Sequence, residues 1–148
     1  MAFACGHYYA NPRNRFWALL AASGLTAERL EPECDVLLPA LGMGLLDVVD
    51  RPTPSAAELD ATELVAGGAR VRAELARWRP AWAAYTGKGV YRAVAGHDPA
   101  GYGPTGHPVV DGVADFVLPS PSGRSGLPWA VKVGWYRQLA ELLPLAPR

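Results

Sequence analysis

The chain has 148 residues, half of them hydrophobic, with 14 basic and 14 acidic side chains. That length builds one domain and no second, and no apolar run approaches the ~18 residues of a membrane span. Two cysteines supply neither a disulfide framework nor the four thiolates of an iron–sulfur cluster, and zero net charge gives no global attraction to a phosphate backbone. Without a basic-then-apolar leader, the expected location is the cytoplasm.

Charge is unevenly spread. From Leu25 to Glu63 nine acids face only Arg29 and Arg51, whereas Phe116 to Arg148 carries Arg124, Lys132, Arg137 and Arg148 against Glu141. The second stretch, with Arg13 and Arg15, offers a compact anion-binding patch, or an ordinary solvated face.

In chain order, Pro12 and Asn14 lead into good helix formers from Arg15 to Ala22, predicting a short helix closed by Gly24. Thr26–Glu28 reads as a helical turn, Val36–Leu41 as a short apolar helix, and Leu45–Val49 as a strand or extended loop. Ser55, three residues ahead of Glu58, marks a capped turn. Leu64, Val71, Leu75 and Trp78 recur at helical spacing, so Asp60–Trp78 is the longest helix despite Gly67 and Gly68. Pro80 ends it. Ala81–Tyr85 is a strand, Thr86–Gly89 a glycine turn, and Val90–Val94 begins another helix, which is the α/β rhythm. Ala95–Pro108 is a loop or the tip of a hairpin. Val113–Leu118 is a strand, Pro119–Gly126 a loop, and Pro128–Leu143 a helix with Val131, Trp135, Leu139 and Leu142 along its core stripe.

Four segments resemble the mismatch-specific uracil/thymine-DNA glycosylases, a branch of the uracil-DNA glycosylase superfamily, in order and over most of the chain. They are Gly6–Trp17 (GHYYANPRNRFW), Gly42–Pro54 (GMGLLDVVDRPTP), Tyr85–Gly89 (YTGKG) and Val117–Gly126 (VLPSPSGRSG). The resemblance implies a single α/β domain, a three-layer α/β/α sandwich with a short, mainly parallel sheet. It also implies a monofunctional, monomeric glycosylase that needs no metal or redox cofactor. Its partner would be double-stranded DNA carrying uracil or a mismatched pyrimidine.

Base excision asks for several residue types: an aromatic to stack on the extruded base, a group to position water and balance sugar charge, and a wedge for the vacated duplex. By resemblance Tyr9 is the stacking aromatic. Tyr8 is its neighbour, or packs under the loop. Asn14 and Arg15 open a helix whose backbone N–H groups could meet a phosphate or base carbonyl, although Asn14 also suits a cap. Asp47 is the only charged group in Met43–Val49, where burying a carboxylate is costly without a task or partner. It therefore reads as the catalytic residue, or else as a turn-forming Asp.

In SPSGRS, Ser120 replaces the more familiar Asn of the family at the base or water, and Gly123 permits a tight loop. Arg124 lies where relatives present the wedge, unless it simply faces solvent. Ser122 and Ser125 could contact phosphates by hydroxyl and backbone N–H groups. Lys88 follows a glycine turn lacking the spacing of a phosphate loop, so it is at most a DNA contact. His7, His97, His107, Cys5 and Cys34 show no paired metal-ligand spacing, and no serine-hydrolase elbow is present.

Relatives carry a strand and a loop of the GINPG or GTAAG type ahead of the aromatic segment. Here Ala4–His7 reads as the tail of that loop, with its strand upstream of Met1; the other alignment places a deletion after Phe3–Gly6. On either alignment the chain is expected to be a slow glycosylase, or a remnant that only binds DNA or base.

Overall fold

A computed structural model describes residues 15–26, 44, 46, 48, 61–121 and 126–143. Its elements are α1 (Phe16–Ser23), α2 (Ala61–Trp78), β1 (Trp82–Thr86), α3 (Lys88–Ala95), β2 (Gly103–Pro104), β3 (Ala114–Leu118) and α4 (Trp129–Leu142). The expected helix at Val36–Leu41, the Ser55 turn and most of the Thr26–Glu28 turn and of Leu45–Val49 lie outside the described residues. None of the described helices is long and apolar enough to cross a membrane.

The described sheet has the order β1-β3-β2. β1 and β3 are parallel, with Ala84 opposite Phe116, and β2 is antiparallel to β3. The described sheet is therefore mixed, parallel along β1 and β3 with a short antiparallel edge. The Gly- and Pro-rich stretch between α3 and β3 turns back along β3 and adds a short antiparallel edge, the hairpin arm that its composition left open.

Alternation along β3 divides the core. Phe116 and Leu118 pack with Phe16, Leu19, Leu20, Val133, Tyr136 and Leu139 of α1 and α4. Val117, with Ala83 and Tyr85 of β1, packs on the other face with Val71, Leu75, Tyr91 and Val94 of α2 and α3. Each face is thus covered by two helices, as the period of two requires in a strand buried on both sides.

Helix boundaries follow local chemistry. Gly24, at φ 85°, ends α1 and donates its N–H to Ala21 O, the left-handed cap that glycine adopts without a Cβ penalty. Arg72 of α2 donates to Val94 O in the last turn of α3 at 2.6 Å, satisfying a carbonyl with no helical partner. Gly68 and Gly67 are the reason α2 can lie where it does. A Cβ on Gly68 would fall onto the Ala93 carbonyl of α3, and one on Gly67 onto the Val48 carbonyl.

Two expected core stripes hold in part: Val71 and Leu75 of α2 and Leu139 of α4 are buried, and other members are not. On α4 Val131 and Leu142 are exposed, and the buried face is Lys132, Val133, Tyr136 and Leu139. A count of apolar residues misses this face because a lysine occupies part of it with its aliphatic stem. On α2 Trp78 is 60% exposed. It lies on the surface, donating to Glu74 Oε2 at 2.9 Å beneath the Arg77 guanidinium. Gly134 lies on the exposed side of α4 with open space where a Cβ would sit. Gly134→Ala should raise stability by about 0.5–1 kcal/mol, measured by urea unfolding.

Asp115 is a buried acid in β3. Its carboxylate accepts the Val109 N–H at 2.8 Å and the Tyr85 hydroxyl at 3.3 Å, while its carbonyl accepts the Thr105 N–H. It ties the β2–β3 connection to the sheet. Burial raises its carboxyl above the ordinary carboxylate range, opposed by the Val109 and Tyr85 bonds; burial and then Asp115 push the Tyr85 phenol well up. The native state therefore holds the Asp115 proton to higher pH than the unfolded chain. Stability falls as pH rises from the unfolded carboxylate value, ~4, through the raised native one, and returns on acidification. The melting-temperature difference between wild type and Asp115→Asn should shift in favour of wild type as pH is lowered from about 7 to about 4. A pH-independent difference would contradict this account.

Candidate nucleic-acid interface

The carboxyl ends of β1 and β3 gather three of the four motif segments. β1 ends at Thr86, and Gly87, at φ 138°, turns the chain directly into α3. That conformation is open essentially to glycine alone, and it places Lys88 at the helix start. β3 ends at Leu118 and continues into Pro119–Pro121. This short loop is held by two hydrogen bonds and passes close to Gly87. The Tyr136 hydroxyl donates to Pro119 O at 2.9 Å. The Arg15 N–H donates to Pro121 O at 2.9 Å. Ser120 Cβ lies 3.7 Å from where a Cβ on Gly87 would sit.

The N-termini of α1, α3 and α4 all face this end. α1 begins beside Pro121, α3 directly after β1, and α4 directly after the β3 loop. Arg137 near the end of α4 reaches Ala22 O near the end of α1, so these two helices run in the same direction. The cap residues Arg15, Gly87 and Pro128 make no side-chain cap bonds, and helix N-termini carry partial positive charge suited to anions. In open α/β sheets the crevice outside the carboxyl ends of parallel strands is the usual ligand position.

Fixed cations add to this field. The Arg15 guanidinium lies 5.2 Å from the Trp129 ring centroid, and the Lys88 ammonium 4.6 Å from that of Tyr102. Lys132, only 4% exposed, sits near enough to Arg15 to feel it. Burial first, and the Arg15 charge second, lower its ammonium below the ordinary lysine value. Several described acids lie toward the other end of the strands. Glu74 and Glu141 are near the last turns of α2 and α4, Asp98 follows α3 and pairs with Arg92 at 3.5 Å, and Asp111 precedes β3.

Of the residues singled out in the sequence, Arg15, Lys88 and Ser120 come together here. Tyr8, Tyr9, Asn14, Asp47, Ser122, Gly123, Arg124 and Ser125 lie outside the described residues. One expectation is corrected: the Arg15 backbone N–H is engaged by Pro121 O, so only its side chain can reach a phosphate. α1 itself begins at Phe16, with Arg15 as its cap.

Trp129, Tyr102, Lys132 and Tyr136 were missed. Trp129 directly after Pro128 at a helix start was the legible signal for one of them; the others depend on long-range contacts. His97 edges the Tyr91 ring at 5.6 Å and bonds to Asp98 O. No group of three His, Cys, Asp or Glu side chains that could hold a metal occurs among the described residues. Residues 2–140 match the model of the Uracil DNA glycosylase superfamily.

Proposed function

Because the chain belongs to the uracil DNA glycosylase superfamily, we propose that it hydrolyses the N-glycosidic bond of uracil, or a related mismatched or damaged pyrimidine, extruded from double-stranded DNA. The reading places it in the mismatch-specific uracil/thymine branch, with that branch's three-layer sandwich. The observation that carries it is the meeting of the Arg15, Gly87–Lys88 and Ser120–Pro121 segments at one end of the parallel strands, beneath three helix N-termini.

The chemistry divides among named residues. The bond from C1′ to the base nitrogen breaks with its electron pair going to the base, and positive charge grows on the sugar. Asp47 balances that charge and aligns a water, whose oxygen adds to C1′ while its proton passes to the Asp47 carboxylate and on to solvent, and the departing base anion takes up a proton from solvent. The products are free base and an abasic site. Tyr9 stacks on the base beside Tyr8, with Asn14 and Ser120 at its polar edge. Arg124 fills the duplex, and Arg15, Lys88, Ser122, Gly123 and Ser125 hold the backbone.

The test is a labelled duplex with one U·G pair, treated with alkali after incubation. Strand scission at the uracil, absent from the C·G control, supports the reading. Binding without scission would make the chain a non-catalytic DNA-binding domain.

A further inference from the structure

Two of the cation–aromatic pairs, Arg15–Trp129 and Lys88–Tyr102, stand on opposite sides of one short loop. Arg15 is bonded through its backbone to Pro121, and Lys88 follows Gly87, which abuts Ser120. The cations thus flank consecutive loop residues. Each ring beneath them is anchored away from the loop. Tyr102, just before β2, tilts against Trp135 of α4 with centroids 5.9 Å apart, and Trp135 lies on Gly103. Trp129 is the first residue of α4 and is 38% exposed, a large apolar surface left in solvent with the Arg15 guanidinium across it.

A lysine or arginine on a surface samples many rotamers, and holding it at a phosphate costs that freedom. A ring face beneath the cation fixes it before the anion arrives, and cation–π attraction does so without neutralising the charge as a carboxylate would. A half-buried Tyr102 under Lys88 and an exposed Trp129 under Arg15 are an arrangement suited to binding a flexible polyanion.

We propose that Tyr102 and Trp129 are positioning residues that hold Lys88 and Arg15 as two preset phosphate clamps, one on each side of the extruded nucleotide. The ligand class is the phosphodiester backbone of the strand carrying the damaged base. The proposal rests on the glycosylase reading and adds that backbone grip depends on rings that touch no phosphate themselves.

The experiment measures binding of a fluorescein-labelled duplex with a central tetrahydrofuran abasic site over a range of salt concentrations, with KM and kcat for U·G excision. Tyr102→Leu and Trp129→Leu should each weaken binding about two- to five-fold and raise KM at unchanged kcat. Tyr102→Phe and Trp129→Phe, which keep a ring face, should bind as wild type. In a Lys88→Met background Tyr102→Leu should add nothing, and likewise Trp129→Leu in Arg15→Met. Losses that add in these double variants would mean that the rings contact DNA directly and would overturn the proposal. Leucine variants that bind as tightly as a wild type active on U·G would overturn it too, leaving the glycosylase reading intact. A wild type that neither binds nor excises removes both. Should Tyr102→Leu fail to fold, the Arg15–Trp129 pair at the exposed start of α4 decides alone.

Discussion

Replacing Asp47 by Asn should lower single-turnover excision of uracil from a U·G duplex by about a thousand-fold, while affinity for an abasic-site duplex stays within about two-fold of wild type. The amide keeps the size and hydrogen-bonding shape of the carboxylate but can neither accept the proton of the attacking water nor offset charge on the sugar. Loss confined to the chemical step is therefore the signature of a group that acts in the transition state. Asp115→Asn is the matching control. Asp115 lies near the start of β3, buried between Tyr85 and Val109, away from the end where the motif segments meet. Its replacement should alter stability and its pH dependence without slowing excision at neutral pH. An Asp47→Asn enzyme within about three-fold of wild type would move the catalytic role to another residue.

The second large effect is on folding. Gly68→Ala should destabilise the protein by about 3 kcal/mol, a fall in melting temperature of roughly 6–12 °C for a chain of this size. In an isolated helix the same change would help by up to about 1 kcal/mol, so the sign separates helix propensity from packing. The added methyl would strike the Ala93 carbonyl in α3. Backbone cannot yield there as a flexible side chain does, because α3 is held from both directions by Tyr91 and Val94 in the core and by Arg72 on Val94 O. Thermal melts of Gly68→Ala and Gly134→Ala should move in opposite directions. A neutral or stabilising Gly68→Ala would mean that α2 and α3 are not in contact at this point.

Glycines at these two positions are indistinguishable by composition, and they show where sequence reading stops. Both lie inside helices, both cost intrinsic stability, and one has open space above it while the other faces a carbonyl contributed from 25 positions further along the chain. The same limit explains α4. Its length and start are written in Pro128 and the apolar residues that follow. Which side is buried depends on where α1 and β3 lie, and Lys132 joins the buried face although its residue type argues against it. Asp115 within Ala114–Leu118 is, like Asp47, a lone acid in an apolar run. There the partners are Tyr85, thirty residues earlier, and the folded-back Val109, and neither can be paired with it by spacing alone.

Local periodicity and punctuation were sufficient for α1, α2, β1, α3, β3 and α4 to within one or two residues, because helix caps, glycine turns and strand alternation are properties of neighbouring residues. The family likeness of the motif segments was equally readable in linear order. The antiparallel edge strand, the engagement of the Arg15 N–H by Pro121 O, and the placing of Lys88 and Arg15 on either side of one loop came only with the folded chain. These depend on contacts between distant segments, whose geometry is set by how the helices pack on both faces of the sheet.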